Sequence, residues 1–183
     1  MAQEGRPVGR VEQIWIYPVR SLAGAAVPEV RVEPSGLAGD RAWTVVDEAD
    51  RVVRAKDAPA MHDVRAAGDP DEDAATLSAV LGRPVRVVAS RPGPDVAPVH
   101  VVSRQAVSRA AAGEVPEGCS ADDPRANLVL ALDGDDDERA WTGRLLRVGS
   151  AVLQVTRTPK HCLGVYADVR QAGEVRVGDP VLL

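Results

Sequence analysis

The chain has 183 residues, 45% hydrophobic and 27% charged, long enough to bury a core without a metal or disulfide and too apolar for disorder. Its formal charge of −5 gives no overall field for nucleic acid or anionic membrane, so any anion site must rest on a local group of Arg and Lys. No stretch approaches the roughly 20 apolar residues of a membrane helix, and the opening MAQEGRPVGR lacks the apolar run of an export signal, so a cytoplasmic protein is expected.

With no Phe, two Tyr and three Trp, the core must be aliphatic. The β-branched and aromatic run from Val11 to Val19 predicts a strand closing at Pro18. Val27 to Val32 alternates and then meets the turn cluster Pro34-Ser35-Gly36, which predicts a second strand. Ala42 to Asp47 and Arg51 to Ala55 flank Glu48-Ala49-Asp50 and predict a hairpin. From Asp71 to Gly82 the period changes: Ala74, Leu77, Val80 and Leu81 fall at helical spacing behind an acidic first turn, and Gly82 and Pro84 supply the stop. Val85 to Ala89 returns to strand, and the Pro- and Gly-rich run from Ser90 to Pro98 marks a boundary between two halves.

Beyond it the pattern predicts a strand at Val99 to Val102, a short helix from Arg104 to Ala112 and a loop from Gly113 to Pro124. Strands follow at Asn127 to Leu132, Leu145 to Val148 and Ala151 to Thr156, with short tracts near Val165, Val175 and Val181. Many short strands with little helix predict a mainly β fold with minor α, whose sheet closes into a barrel rather than a doubly wound α/β sheet. The three Trp, at 15, 43 and 141, read as core packing.

Several chemistries are excluded. The acidic tract Asp133 to Glu138 lacks the alternating register of a calcium loop and reads as a solvated turn. His62, His100 and His161 show no paired-ligand spacing, and there is no Walker loop, dinucleotide-binding glycine loop or serine elbow. Two cysteines cannot by themselves hold an iron–sulfur cluster. They are expected to stay reduced rather than pair.

Of the two, Cys162 has the stronger claim to chemistry. Arg157, Lys160 and His161 lie within five residues of it, and nearby positive charge favours the thiolate that binds metals. The competing reading is a buried structural cysteine. Cys119, in the loop Pro116 to Asp123, ranks well below it.

An ordered set of segments extends the reading. Ile16-Tyr17-Pro18-Val19-Arg20-Ser21-Leu22, Gly36-Leu37-Ala38-Gly39-Asp40-Arg41-Ala42-Trp43 and Arg54-Ala55-Lys56-Asp57-Ala58-Pro59 resemble the N-terminal β-barrel of MOSC-domain proteins. Val99 to Ser103, Pro124 to Val129, Trp141 to Gly149 and Thr158-Pro159-Lys160-His161-Cys162 resemble the MOSC domain itself. Arg20 stands where the family usually has Lys, and His161 where it often has Arg. The resemblance divides the chain into an N-terminal barrel-like region over 8–89 and a MOSC domain over 96–183. It implies a MOSC-type β-barrel with an N-terminal β-barrel subdomain.

The resemblance also implies a function. It assigns the chain the molybdenum cofactor, a pterin dithiolene carrying a phosphate, with Cys162 as metal ligand and catalytic residue. Arg20, Arg41, Arg54, Lys56 and Arg125 would serve the phosphate end, Ser21, Ser103 and Asn127 the pterin, with His161 beside the ligand. The resemblance further implies pyridoxal phosphate binding. Related members reduce N-hydroxylated compounds such as amidoximes, which implies an oxidoreductase taking small N-hydroxylated substrates and electrons from a separate redox protein. The alternative is a non-catalytic carrier of the cofactor or of persulfide sulfur.

Overall fold

The computed structural model describes residues 5–91 and 97–183, so most of the Pro- and Gly-rich run from Ser90 to Pro98 lies outside the described residues. In chain order the strands are β1 (Pro7–Ile16), β2 (Ala25–Val27), β3 (Glu29–Glu33), β4 (Gly36–Leu37) and β5 (Trp43–Asp47). Helix α1 (Pro70–Leu81), β6 (Val85–Ala89), β7 (Val99–Ser103), α2 (Arg104–Ala111) and β8 (Leu128–Leu132) follow. The chain finishes with β9 (Leu145–Val148), β10 (Ala151–Arg157), β11 (Val165–Gln171), β12 (Gly173–Arg176) and β13 (Pro180–Leu182). Two compact units result among the described residues. One draws on Met1–Trp15, Ala26–Ala38 and Gly93–Leu183, the other on Ile16–Ala25 and Gly39–Pro92.

The first unit contains a closed barrel. Its strands run in the order β13-β9-β10-β11-β7-β8-β1, and β1 pairs back onto β13. Every neighbour in that circuit pairs antiparallel except β7 and β8, which run parallel. Alternation sets which side chains point inward: Leu146 and Val148 in β9, then Ala151, Leu153 and Val155 in β10, are buried while the residues between them are not. Val11, Ile14, Val101, Leu128, Leu130, Val165 and Val181 join them, giving the aliphatic core expected of a chain without Phe. Strand β7 is buried along its whole length because Val102, on its outer side, lies under Ala106 and Ala110 of α2. A three-stranded sheet, β12-β3-β4, belongs to the same unit.

In the second unit β5 and β6 pair antiparallel from Trp43↔Ala89 to Asp47↔Val85, and α1 supplies the fully buried Leu77. The helix begins where its chemistry directs. The Asp69 carboxylate accepts from the N–H groups of Asp71 and Glu72, Pro70 opens the first turn, and the stop falls at Gly82.

The mainly β expectation with minor α therefore holds, but some elements differ. Arg51 to Ala55 is not a strand: it touches β5 through one bridge, Val46↔Val52, and then turns away at Arg54, whose carbonyl accepts from Asp57 and Ala58. The ladder of β5 is completed by β6, a distant partner that local alternation cannot announce. Val27 to Val32 divides into β2 and β3 at Pro28, which has no N–H for a ladder. The acidic tract is not solvated throughout, since Glu138 is 0% exposed and accepts from the N–H of Ser103.

Candidate functional site

Cys162 lies in the turn between β10 and β11, with its sulfur half-buried. The turn is pressed onto the barrel. Leu163 is buried and its carbonyl accepts from His100 Nε2 at 2.8 Å, which fixes the proton on that nitrogen because a carbonyl only accepts. Next to it Gly164 has φ of 81°, and a Cβ there would collide with the carbonyl of Val101. Only glycine meets both demands.

From β11, Tyr166 places its hydroxyl 3.9 Å from Cys162 Sγ. Its ring stands edge-on to His100, 4.8 Å between centroids, and the Arg157 guanidinium lies over it at 5.3 Å. Burial pushes the Cys162 thiol up; the Tyr166 hydroxyl opposes that, nearby Cys119 adds to it, and Arg139 opposes it. Of the three sequence neighbours expected to supply positive charge, two are engaged elsewhere. Arg157 covers Tyr166, the exposed His161 has Nδ1 3.3 Å from the Gly118 carbonyl, and Lys160 is exposed. The cation that acts on the thiol comes from Arg139, after the acidic tract.

The other candidates in this unit serve the fold in visible ways. Ser103 is fully buried and its hydroxyl caps α2 by accepting from Ala106 at 2.9 Å. Asn127, 1% exposed, accepts from the His100 N–H at 3.1 Å and donates to the Trp15 carbonyl at 3.3 Å, tying the strand ends together. Arg125 is half-buried with φ of 52°, its N–H held by Asp123. A cavity of about 250 Å³ opens beside the Cys162 turn, lined by Leu163, Gly164, Arg109, Arg139, Glu114 and Asp137 among others. Its two cations face two carboxylates, so it does not select an anion by charge.

The remaining basic candidates gather in the second unit. Arg20 is half-buried and donates through Nε to Ser90 Oγ at 3.1 Å; burial first, then the neighbouring Arg41 and Arg54, push its guanidinium down, while Asp40 opposes them. Arg41 pairs with Asp40 and lies over the Tyr17 ring at 5.1 Å. Asp40 in turn accepts from the Tyr17 N–H, fixing the group to the turn that carries Arg20 and Ser21. Arg54 and Lys56 are exposed. Of the four described non-glycine residues with positive φ, three are candidates: Ser21 at 72°, Arg41 at 49° and Arg125 at 52°. Such backbone is kept only where its surroundings enforce it, and it concentrates at ligand sites.

The structure therefore brings Arg20, Ser21, Arg41 and Arg54 together in one unit and holds Ser103, Arg125, Asn127, His161 and Cys162 in the other. His100, Tyr166, Arg139 and Glu138 take part without having been singled out as contributors. For His100 and Tyr166 the signal was available: rare ring side chains in strands flanking the candidate turn. For Arg139 and Glu138 there was none, because both sit in a run that reads as surface.

Over an alignment of 76 residues that covers 39% of this chain, it is 37% identical to mitochondrial amidoxime-reducing component 1 of Mus musculus and 38% identical to that of Homo sapiens. The match spans 22% of the length of each relative. The YUAD protein from Bacillus subtilis shares the fold, with a TM-score of 0.55 over 98% of this chain and 97% of that one at 13% identity. A second crystal structure, of a hypothetical protein, aligns with a TM-score of 0.50 over 97% of this chain and 69% of that one at 15% identity. The family model for the MOSC N-terminal beta barrel domain matches residues 8–120, more than half of the chain, and the chain belongs to that family.

Proposed function

We propose that this chain binds the molybdenum cofactor through Cys162 and reduces small N-hydroxylated compounds with electrons from a separate redox protein. The observation that carries the reading is the Cys162 thiol itself, half-buried in the turn between β10 and β11 with the Tyr166 hydroxyl 3.9 Å from its sulfur. Among the described residues no group of three or more His, Cys, Asp or Glu side chains could hold a metal ion, so a metal here needs most of its ligands from an organic group. A dithiolene supplies soft sulfur ligands and leaves a place for one thiolate. The guanidinium group of Arg20, Arg41 and Arg54, with Asp40 as its carboxylate, suits the phosphate. Each donor type by itself suits its part of the cofactor, and the names of the mammalian relatives support the substrate class.

By the family resemblance Arg20, Arg41 and Arg54 are the candidates for the phosphate end, with Lys56 and Arg125 as further cations, and Ser21 lies on a turn held in left-handed backbone. Ser103 and Asn127 shape the strand ends, since their side chains are already engaged, and His161 lies beside the ligand turn. Tyr166 holds its hydroxyl 3.9 Å from the sulfur and orients it. When bound, the cofactor supplies the two-electron, oxygen-accepting chemistry that cleaves an N–O bond. Two cysteines cannot hold a cluster, which is why the electrons are assigned to another protein. Pyridoxal phosphate is left out of the reading: Lys56 and Lys160 are both exposed, and neither stands in the enclosed site that activates an amine.

The test is metal and pterin analysis of the purified chain, followed by anaerobic reduction of benzamidoxime with an artificial electron donor. Molybdenum with turnover is expected. Molybdenum without turnover would move the reading to a cofactor carrier, and full molybdenum and activity in Cys162→Ala would remove its basis.

A further inference from the structure

The two cysteines, 43 residues apart in sequence, meet in the fold. Cys119 Sγ donates to the carbonyl of Cys162 at 3.2 Å. The stretches around them are joined by backbone: the Ser120 N–H donates to the His161 carbonyl at 3.0 Å, and His161 Nδ1 lies 3.3 Å from the Gly118 carbonyl. Cys119 is further held by its own N–H on the Pro116 carbonyl and by Arg139, whose Nη1 lies 3.9 Å from its sulfur. Both side chains are half-buried and both are free thiols.

We propose that Cys119 and Cys162 form a reversible dithiol modification site, in which Cys119 resolves oxidation of Cys162 into an intramolecular disulfide. A carbonyl oxygen lies only about 3 Å from the Cβ of its own residue by covalent geometry. Closure therefore needs side-chain rotation and an adjustment of the 118–120 loop that brings the Cα atoms to the roughly 4.4–6.8 Å that disulfides span. The co-reactant is a peroxide. One thiol reduces it, becoming a sulfenic acid with release of water; the second thiol attacks that sulfur, the S–O bond breaks, a second water leaves and the S–S bond forms. Two electrons pass from the thiol pair to the peroxide, and a dithiol reductant returns them.

The disulfide does not require the molybdenum reading, but its consequence rests on that reading: a Cys162 sulfur bonded to Cys119 cannot serve as a metal ligand. The modification thus withdraws the ligand reversibly and diverts it from irreversible sulfinic and sulfonic acids. The sequence alone predicts two thiols that stay reduced rather than pair, because their approach is made through backbone atoms of two loops far apart in sequence.

The full chain as purified, its molybdenum content measured first, is treated with hydrogen peroxide. Remaining thiols are blocked with N-ethylmaleimide, and the chain is digested without reduction for mass spectrometry. A peptide pair joined through Cys119 and Cys162, lighter by two hydrogen atoms and separated by dithiothreitol, is expected in chains that carry no molybdenum. Cys119→Ser should instead accumulate several-fold more Cys162 sulfinic acid. Equal sulfinic acid in the two proteins with no joined peptide, or disulfides only between chains, would overturn the proposal, and the wild-type peptide map decides even if the variant folds poorly. Absence of molybdenum in every preparation would sink the cofactor reading while leaving the disulfide result intact.

Discussion

At the scale of single residues the chemistry turns on how each polar atom is matched. Cys162 is held in its thiol form chiefly by burial, and the Tyr166 hydroxyl partly offsets this. Since the thiolate is the nucleophile, alkylation by iodoacetamide should rise with pH along a curve displaced upward from that of a simple thiol. Tyr166→Phe should displace it further in the same direction; a shift downward would mean that the hydroxyl does not stabilise the thiolate. The linkage has a matching sign. A folded-state thiol that ionises later than the unfolded one contributes nothing at neutral pH and destabilises the fold as pH rises through the ordinary thiol range. Glu138 poses the opposite problem, a buried carboxylate with Oε1 on the Ser103 N–H and Oε2 without a partner. Glu138→Gln retains an acceptor and removes the charge, so it should leave the urea midpoint unchanged or raise it. Glu138→Ala strands the Ser103 N–H and should lose about 1–3 kcal/mol. An equal loss in both would show that the charge itself is compensated. None of this was legible at Glu138 in the sequence, because five acidic or glycine neighbours, from Asp133 to Asp137, make the whole stretch look like surface.

At the scale of elements, legibility follows the range of the interaction that makes each one. Helix α1 was readable because its signals are local: the acidic first turn, the apolar spacing and the stop at Gly82. The turn after β5 was readable too, yet its second arm was not a strand. Asp47 is the reason that the turn forms regardless. Its Oδ1 accepts from the N–H groups of Ala49 at 2.9 Å and Arg51 at 3.0 Å, and its Oδ2 accepts from Arg51 Nε. These bonds, led by the Arg51 backbone N–H, hold its carboxyl below the usual carboxylate range against the opposing effect of burial. A carboxylate depressed in the folded state stabilises the fold above its unfolded pKa, and that contribution is lost as pH falls through the folded value. Asp47→Asn should therefore lower the urea midpoint at neutral pH, with the difference from wild type shrinking below about pH 4. A gap that persisted unchanged into acid would assign the effect to packing instead. The Cys162 turn gives the same lesson: its motif was legible, whereas its contacts with Cys119, His100 and Arg139 come from three other stretches of chain.

For the whole molecule the decisive event is closure of the barrel, which joins residues at opposite ends of the chain. Alternation located most of the strands, but no periodicity states that β1 pairs both β8 and β13. That seam is built from reciprocal backbone bonds between Arg6 and Leu183, and from Val11, whose N–H reaches Asp179 and whose carbonyl accepts from Gly178. Gly9 lies in the middle of it, opposite Leu132 on one side and Val181 on the other, where the register with β13 shifts. Its φ is 153°, and a Cβ there would collide with the Ala131 carbonyl and crowd Leu132 Cα. These obstacles are backbone atoms of a paired strand, so they cannot swing aside as a flexible side chain would. Gly9→Ala should then force β1 away from β8, expose the inward-facing Val8 and Val11, and destabilise the chain by about 2–4 kcal/mol. Urea unfolding measures the loss. Hydrogen exchange locates it, with the amides of Val11 and Gly178 losing protection ahead of those in β10. A variant within about 0.5 kcal/mol of wild type, with those amides still protected, would mean that the barrel holds together without close packing at its seam.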